Sequence, residues 1–500
     1  MPYSLSWHQH LAGAFGIHDA SDHHHASLRT EAVAGGLRRT DDFQRGILVV
    51  PGANDRNVAG SSGHDDLACD ICAVRTEGMD STPGGVHRAA FRNLVEIQMV
   101  LYPVSSPRLL VVRIQHGPLG FHERHHMATT TVQSDLTTTH YRPTWRRRKL
   151  NTLIFFVTSH CNATCDTCFY WDELNKAGDL SWNEIVKLSE STPQITDLWF
   201  SGGEPTLRRE LENIINLFVK NNGVRHINLP TNGLKPARIC QIAERCLEAN
   251  PKLELNINIA LDGLRDSHDA MRGVPGNFDK AILTARTLRN LKLRFGKRLE
   301  VHFNTVITRD NRDEILILAE WILSESLVDG HYFNLIRGDA KDPKLKNFRG
   351  ESLRTLYAGI ASIQERYADQ LMDDPNPIIR WLKKVAYVGT LTFHHRTQLD
   401  NADGSKPWAM PCTAGETSAV VDFDGRVRSC ELRAPIGDLR KNDMNFNVFW
   451  ESEPRKAEPA KITCDQCWCS HVCFIHDSMR YSLRAMLWEV PKNYFLRKAW

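Results

Sequence analysis

A chain of 500 residues exceeds what a single hydrophobic core supports, so a barrel-sized domain with accessory structure is expected. Its composition, 42% hydrophobic and 24% charged with a formal net charge of +3, is that of a globular protein and excludes a dedicated nucleic-acid surface. No run approaches the roughly 20 apolar residues of a membrane span, and no signal pattern opens the chain, so a cytoplasmic location is expected; thirteen cysteines there point to metal or redox chemistry rather than disulfides.

Residues 1–126 differ in composition from the rest of the chain. They hold 12 of the 22 histidines and no lysine; the first lysine is Lys149. The apolar pieces "RGILVV" and "EIQMVLYPV" are not linked by any sustained period, so a low-order extension is expected, a candidate for upstream translation with Met127 a candidate start. The cluster "HDASDHHH" and the pair Cys69 and Cys72 read as adventitious.

From residue 148 the pattern becomes regular. Strands are predicted over 151–158, 195–202, 226–233, 253–263, 299–308 and 330–336, with amphipathic stretches such as "SWNEIVKLSEST" between them. Cys240 and Cys246, in "RICQIAERCLEAN", read as small hydrophobes of one such helix. Six strands alternating with helices predict a parallel α/β sheet, curled as a partial barrel or open and doubly wound, with chemistry at the C-terminal strand ends.

Just beyond the first strand lies "CNATCDTC", with Cys161, Cys165 and Cys168. A structural zinc or an electron-transfer cluster takes four protein ligands, whereas three thiolates leave one iron of a cluster open. This CxxxCxxC spacing resembles radical SAM enzymes. The resemblance implies a partial (β/α)6 TIM-like barrel over 148–340 and a [4Fe-4S] cluster that binds S-adenosyl-L-methionine. It also implies an electron donor such as flavodoxin or ferredoxin, and a 5′-deoxyadenosyl radical that abstracts hydrogen from a substrate.

Further motifs fit that resemblance. "SGGEP" supplies Gly202, Gly203, Glu204 and Pro205, with the Glu204 carboxylate expected to receive the cofactor ammonium. "LPTNG" brings Asn232, and "IALDG" brings Asp262 but has Ala260 where relatives commonly carry serine. Asn304 and Arg272 are further cofactor or substrate candidates. Thr167 replaces the aromatic residue usual before the third cysteine, so Phe169 or Tyr170 is expected near adenine.

After a helical connection over 341–406, residues 407–480 carry Cys412, Cys430, Cys464, Cys467, Cys469 and Cys473 around a predicted hairpin with an Asp424-Gly425 turn. The stretch resembles SPASM and twitch extensions, which implies at least one auxiliary [4Fe-4S] cluster in a small C-terminal cysteine-rich α+β domain. Cys412, Cys430, Cys464 and Cys467 make the simplest ligand set, with Cys469 and Cys473 completing a second cluster or replacing members; a zinc site is the alternative.

Residues 481–500 read as an amphipathic closing segment, "WRRRKL" as a solvated charge run, and Trp182, Trp199, Trp321 and Trp381 as packing residues. The function expected is a radical SAM oxidoreductase acting on a small molecule, or a SPASM-type maturase acting on a peptide. The alternative of another class is a non-catalytic iron-sulfur carrier or sensor. No nucleic acid and no membrane span are expected among its partners.

Overall fold

The computed structural model describes residues 148–372, 374–402 and 406–500, and before them only three short strands. Those strands, β1 (Val49–Pro51), β2 (Ile97–Val100) and β3 (Leu109–Ile114), form an antiparallel sheet with β3 in the middle. The first two overlap the apolar pieces "RGILVV" and "EIQMVLYPV". Cys69, Cys72, the histidine cluster, Met127 and residues 145–147 lie outside the described residues.

Residues 148–500 are organised by one nine-stranded sheet. Its six central strands are β4 (Thr152–Phe156), β5 (Asp197–Ser201), β6 (His226–Thr231), β7 (Glu254–Ala260), β8 (Leu299–Ile307) and β9 (Gly330–Leu335), parallel and in chain order. The helices between them form because their apolar residues recur at helical spacing. The helix Trp182–Ser191 also opens on a reciprocal capping box between Ser181 and Glu184. The sheet is open between β9 and the far edge, as in a partial barrel.

Alternation along each strand divides two environments. Leu153 and Phe155 of β4 and Leu255, Ile257 and Ile259 of β7 join the large core under the helices. Ile154 and Phe156 face the barrel interior, where Trp199, Val420 and Phe393 pack with them. The other half of the interior is polar: Asn258 donates to Asn228 across β6 and β7, and Asn334 donates to Asn304 across β8 and β9.

The cysteine-rich segment is continuous with this sheet. Its hairpin is β10 (Ser418–Val421) and β11 (Arg426–Arg428), followed by β12 (Gly437–Asp438). β10 lies parallel to β4 with Ser418 opposite Thr152, so the hairpin extends the barrel sheet next to the strand that leads into Cys161. Gly425 turns the hairpin at φ +90°.

Within 341–406 the helix Pro377–Ala402 has buried residues all round between Val385 and Leu399, the mark of a core helix. It closes the open side of the barrel, with Phe393 against the β4 interior face and Tyr387 beside Tyr332 of β9. The closing segment packs on it, and Trp500 stacks on Tyr357. Trp199 is buried and Trp321 packs on the core, but Trp182 and Trp381 are exposed, because their helices turn those positions to solvent. Cys246 is buried and Cys240 is half-buried. No described helix is long and apolar enough to cross a membrane.

Candidate active site

Beyond Phe156 the chain runs to the cysteine loop zipped against the end of β5. Val157 N donates to Ser201 O (3.1 Å), Gly203 N to Thr158 O (2.9 Å) and Glu204 N to His160 O (2.7 Å). A Cβ on Gly202 would stand 2.3 Å from Thr158 O, and one on Gly203 2.2 Å from His160 O. Both glycines are therefore demanded by the approach of the cysteine loop itself, and Gly202 also sits at φ +121°. His160 points to solvent.

Glu204 caps the single turn Pro205–Leu207 and is 2% exposed. Its carboxylate accepts from Thr206 N (3.2 Å), Thr231 Oγ1 (2.8 Å), Asn232 N (2.7 Å) and the Thr206 hydroxyl. Burial raises its pKa, and these hydrogen bonds oppose the rise. These hydrogen bonds join the ends of β5 and β6 and fix the carboxylate beside the cysteine loop. Asn232, so fixed, donates from Nδ2 to Asn162 Oδ1 (2.8 Å) on the cysteine loop. Gly233 follows at φ +75°, and a Cβ there would also meet Ala281 Cα at 2.9 Å.

Asp262 is fully buried, and its two oxygens are also engaged. Oδ1 accepts from Val306 N (2.8 Å), and Oδ2 pairs with Arg272 Nη2 at 2.6 Å. Asp262 thereby holds Arg272 in place at the strand end where a cofactor contact is expected. Arg272 Nη1 lies 3.6 Å from Cys165 Sγ. Burial opposes its charge, but Asp262 and the neighbouring thiols outweigh burial and raise its pKa.

Burial pushes the Cys161 thiol up to about 12, with Glu204, Cys165 and Cys168 adding to the rise. Burial raises Cys168 to about 11, with Cys165 adding and Arg272 opposing. Such thiols shed their protons only to a strongly positive partner, which an iron centre supplies. Three half-buried sulfurs on one loop beside a fixed guanidinium are a donor set that fits a three-cysteine cluster.

Sequence reasoning missed how the loop is tied down on its far side. Lys341 N donates to Cys168 O (3.0 Å), and its Nζ reaches Thr164 O (3.0 Å) and Asp166 Oδ1 (2.9 Å). Nothing in "GDAKDPK" signals this contact. Phe169 lies under Arg337, whose guanidinium carbon is 4.9 Å from the ring centroid. Tyr170 is buried against Phe156 and Phe423. Of the two aromatic candidates for an adenine contact, Phe169 alone keeps partial exposure.

The second cysteine field closes beside the first. Burial raises Cys412 to about 11, with Cys467 adding; it raises Cys469 to about 12, with Cys412 and Cys467 adding. Cys430 is likewise raised by burial, then by Cys469 and Cys412. Four thiols thus act on one another: Cys412, Cys430, Cys467 and Cys469. Cys464 is exposed at the end of the helix Glu453–Cys464. Cys473 is buried with Glu431 and His471. Trp408 Nε1 donates to Cys469 O (3.0 Å), and Arg337 reaches Glu431 (3.4 Å), joining the two fields through Phe169.

Residues 155–322 match the model of the Radical SAM superfamily. The chain is 28% identical over 333 residues to the AdoMet-dependent heme synthase of Methanosarcina barkeri, covering 63% of this chain and 88% of that protein. It is 26% identical to the Fe-coproporphyrin III synthase of the same organism, covering 31% of this chain and 38% of that protein. To the cysteine-type anaerobic sulfatase-maturating enzyme of Clostridium novyi it is 30% identical, covering 32% of this chain and 45% of that protein. The chain thus spans well under half the length of the last two. Among solved structures, native anSMEcpe with bound AdoMet and peptide covers 70% of this chain and 98% of that one at TM-score 0.43 and 18% identity. Streptococcus suis SuiB bound to S-adenosylmethionine covers 62% and 68% at TM-score 0.40 and 15% identity.

Proposed function

We propose, from the radical SAM domain that this chain carries at residues 155–322, that it is an enzyme that cleaves S-adenosyl-L-methionine reductively and abstracts hydrogen from a substrate in the barrel interior. The observation that carries this reading is the Cys161, Cys165 and Cys168 loop, clamped between the Gly202–Gly203 backbone and the Arg272 guanidinium. When bound, the three-cysteine cluster and its cofactor supply a 5′-deoxyadenosyl radical.

The chain's own residues bind and orient. Gly202 and Gly203 fix the loop at the end of β5, Glu204 and Asn232 hold the ends of β5 and β6 in register with it, and Asp262 keeps Arg272 on the sulfur of Cys165. The helix Pro377–Ala402 excludes water from the open side, which protects a radical from quenching. Cys412, Cys430, Cys467 and Cys469 form the donor set for one auxiliary [4Fe-4S] cluster, which would accept an electron from the substrate radical.

A peptide substrate is a second reading, favoured by the paired interior amides. Asn228 with Asn258 and Asn304 with Asn334 offer the donors and acceptors that a peptide main chain requires. The test is anaerobic: reconstitute the chain with iron and sulfide, add S-adenosylmethionine and dithionite, and quantify 5′-deoxyadenosine. Formation by the wild type but not by a Cys161, Cys165 and Cys168 to Ala variant supports the reading. Absence from a fully clustered wild type in the presence of candidate substrates favours a carrier or sensor.

A further inference from the structure

Six cysteines after residue 406 raise the question whether the chain builds one auxiliary cluster or two. Four of them act on one another, but Cys473 keeps different company. Its Sγ, a Glu431 carboxylate oxygen and a His471 ring nitrogen all lie within 4.8 Å of one another. They come from two pieces of chain: Glu431 follows the second hairpin strand, while His471 at the N-cap and Cys473 in the first turn belong to the helix Val472–Met479.

The group is enclosed. The His471 side chain is fully buried and that of Glu431 is 5% exposed, with His471 Nε2 2.5 Å from Glu431 Oε2. The second ring nitrogen of His471, Nδ1, has no hydrogen-bond partner. The ring edge of Phe474 covers His471 at 5.0 Å between centroids.

We propose that Glu431, His471 and Cys473 form a mixed-donor site for a single zinc-class divalent ion beside the four-thiol set. Sulfur, nitrogen and oxygen ligands suit zinc, and three protein ligands leave a fourth position of the tetrahedron open. Such a set does not suit a further [4Fe-4S] cluster, which draws on thiolates. Charge supports the assignment. Ionised Cys473 and Glu431 carry two negative charges, and Arg337, 3.4 Å from Glu431, offsets only one. On binding, the thiol proton of Cys473 leaves to solvent and the ion takes its place among the donors. Arg337 links the site to Phe169, next to Cys168 of the first cysteine field.

The inference is independent of the proposed reaction, because its readout is metal content and not turnover. Zinc and iron are measured together in the purified, cluster-loaded chain, in Glu431→Gln and in His471→Gln, with circular dichroism to confirm folding. The expected result is about one zinc per chain in the wild type, lost in both variants while iron is retained. Cobalt added to zinc-depleted protein is then expected to give a thiolate charge-transfer band that Cys473→Ser abolishes, a readout that stands even where a variant folds poorly. Zinc absent from the wild type, zinc unchanged in both variants, or iron falling in step with zinc would overturn the proposal, the last by tying Glu431 and His471 to the iron cluster instead.

Discussion

Arg272 reaches across 107 residues of sequence to set its Nη1 3.6 Å from the sulfur of Cys165, while Asp262 grips the other side of the same guanidinium at 2.6 Å. The pair is buried, so its members are worth most together: deleting one leaves the other charged without compensation in a dry setting. Arg272→Met is expected to cost about 3–5 kcal/mol of stability, read as the shift in urea midpoint, and the double variant with Asp262→Ala is expected to cost less than the sum of the two. Equal additivity would show that the pair does not act as a unit. Arg272→Lys is expected to keep the charge yet lower iron loading, since one ammonium does not serve both the carboxylate and the sulfur.

Gly203→Ala tests the contact between the end of β5 and the cysteine loop. The added methyl would meet His160 O at 2.2 Å, a backbone atom that has no rotamer by which to withdraw. The Cys161 segment must move, so cluster loading is expected to fall severely while far-ultraviolet circular dichroism stays close to wild type. Unchanged iron content in Gly203→Ala would mean that the loop is not held where the backbone hydrogen bonds place it.

The pH dependence of stability has a component of known sign at His331. Burial lowers its pKa to about 3, and its Nε2 lies 2.7 Å from Thr305 Oγ1. The unfolded chain takes up the proton near the ordinary value of about 6.5, well before the folded chain does. Stability from this group is complete above about pH 6.5 and is lost as pH falls, at about 1.4 kcal/mol per unit. His331→Gln is expected to flatten the stability profile between about pH 6 and 4 by that amount. Asp422 has the opposite sign. Burial raises it to about 6 although Arg428 pairs with it at 2.7 Å, so its protonation favours the folded state between about pH 4 and 6. Asp422→Asn is expected to steepen the acid loss that His331→Gln flattens, as read from denaturant midpoints across that range.

The local signals were legible where one stretch of chain decides the outcome. Six strands fall inside the predicted runs because β-branched and apolar residues alternate there. The turns at Gly233 and Gly425 take positive φ as the Asn-Gly and Asp-Gly pairs implied. Legibility ended where distant segments meet. That β10 would lie parallel on β4 depends on pairing Ser418 with Thr152, and no local pattern encodes it. The helix Pro377–Ala402, expected only as part of a helical connection, buries "FHHRTQL", where Gln398 accepts from Tyr357 and His395 stacks on the Tyr357 ring. The sequence shows the Glu204 and Asp262 carboxylates without showing the backbone N–H groups and the Arg272 guanidinium that they also meet in the fold.

The auxiliary ligand set gives the sharpest remaining test. By spacing alone, Cys464 and Cys467 complete a set with Cys412 and Cys430. In the structure Cys412 and Cys469 each raise the buried Cys430 thiol, and Cys412 and Cys467 raise Cys469, which favours Cys469 as a member of the set. Trp408 then fixes Cys469 through its carbonyl oxygen. The reconstituted chain is expected to hold about eight irons, four on each cluster. Cys469→Ser and Cys430→Ser are each expected to bring this near four, with the signal of the first cluster retained in electron paramagnetic resonance. Cys464→Ser is expected to keep about eight. If Cys464→Ser empties the auxiliary cluster and Cys469→Ser does not, the ligand set is the one that spacing suggested. About four irons in the wild type would rule out an auxiliary cluster and leave the thiols at Cys412 and Cys430 to a zinc site.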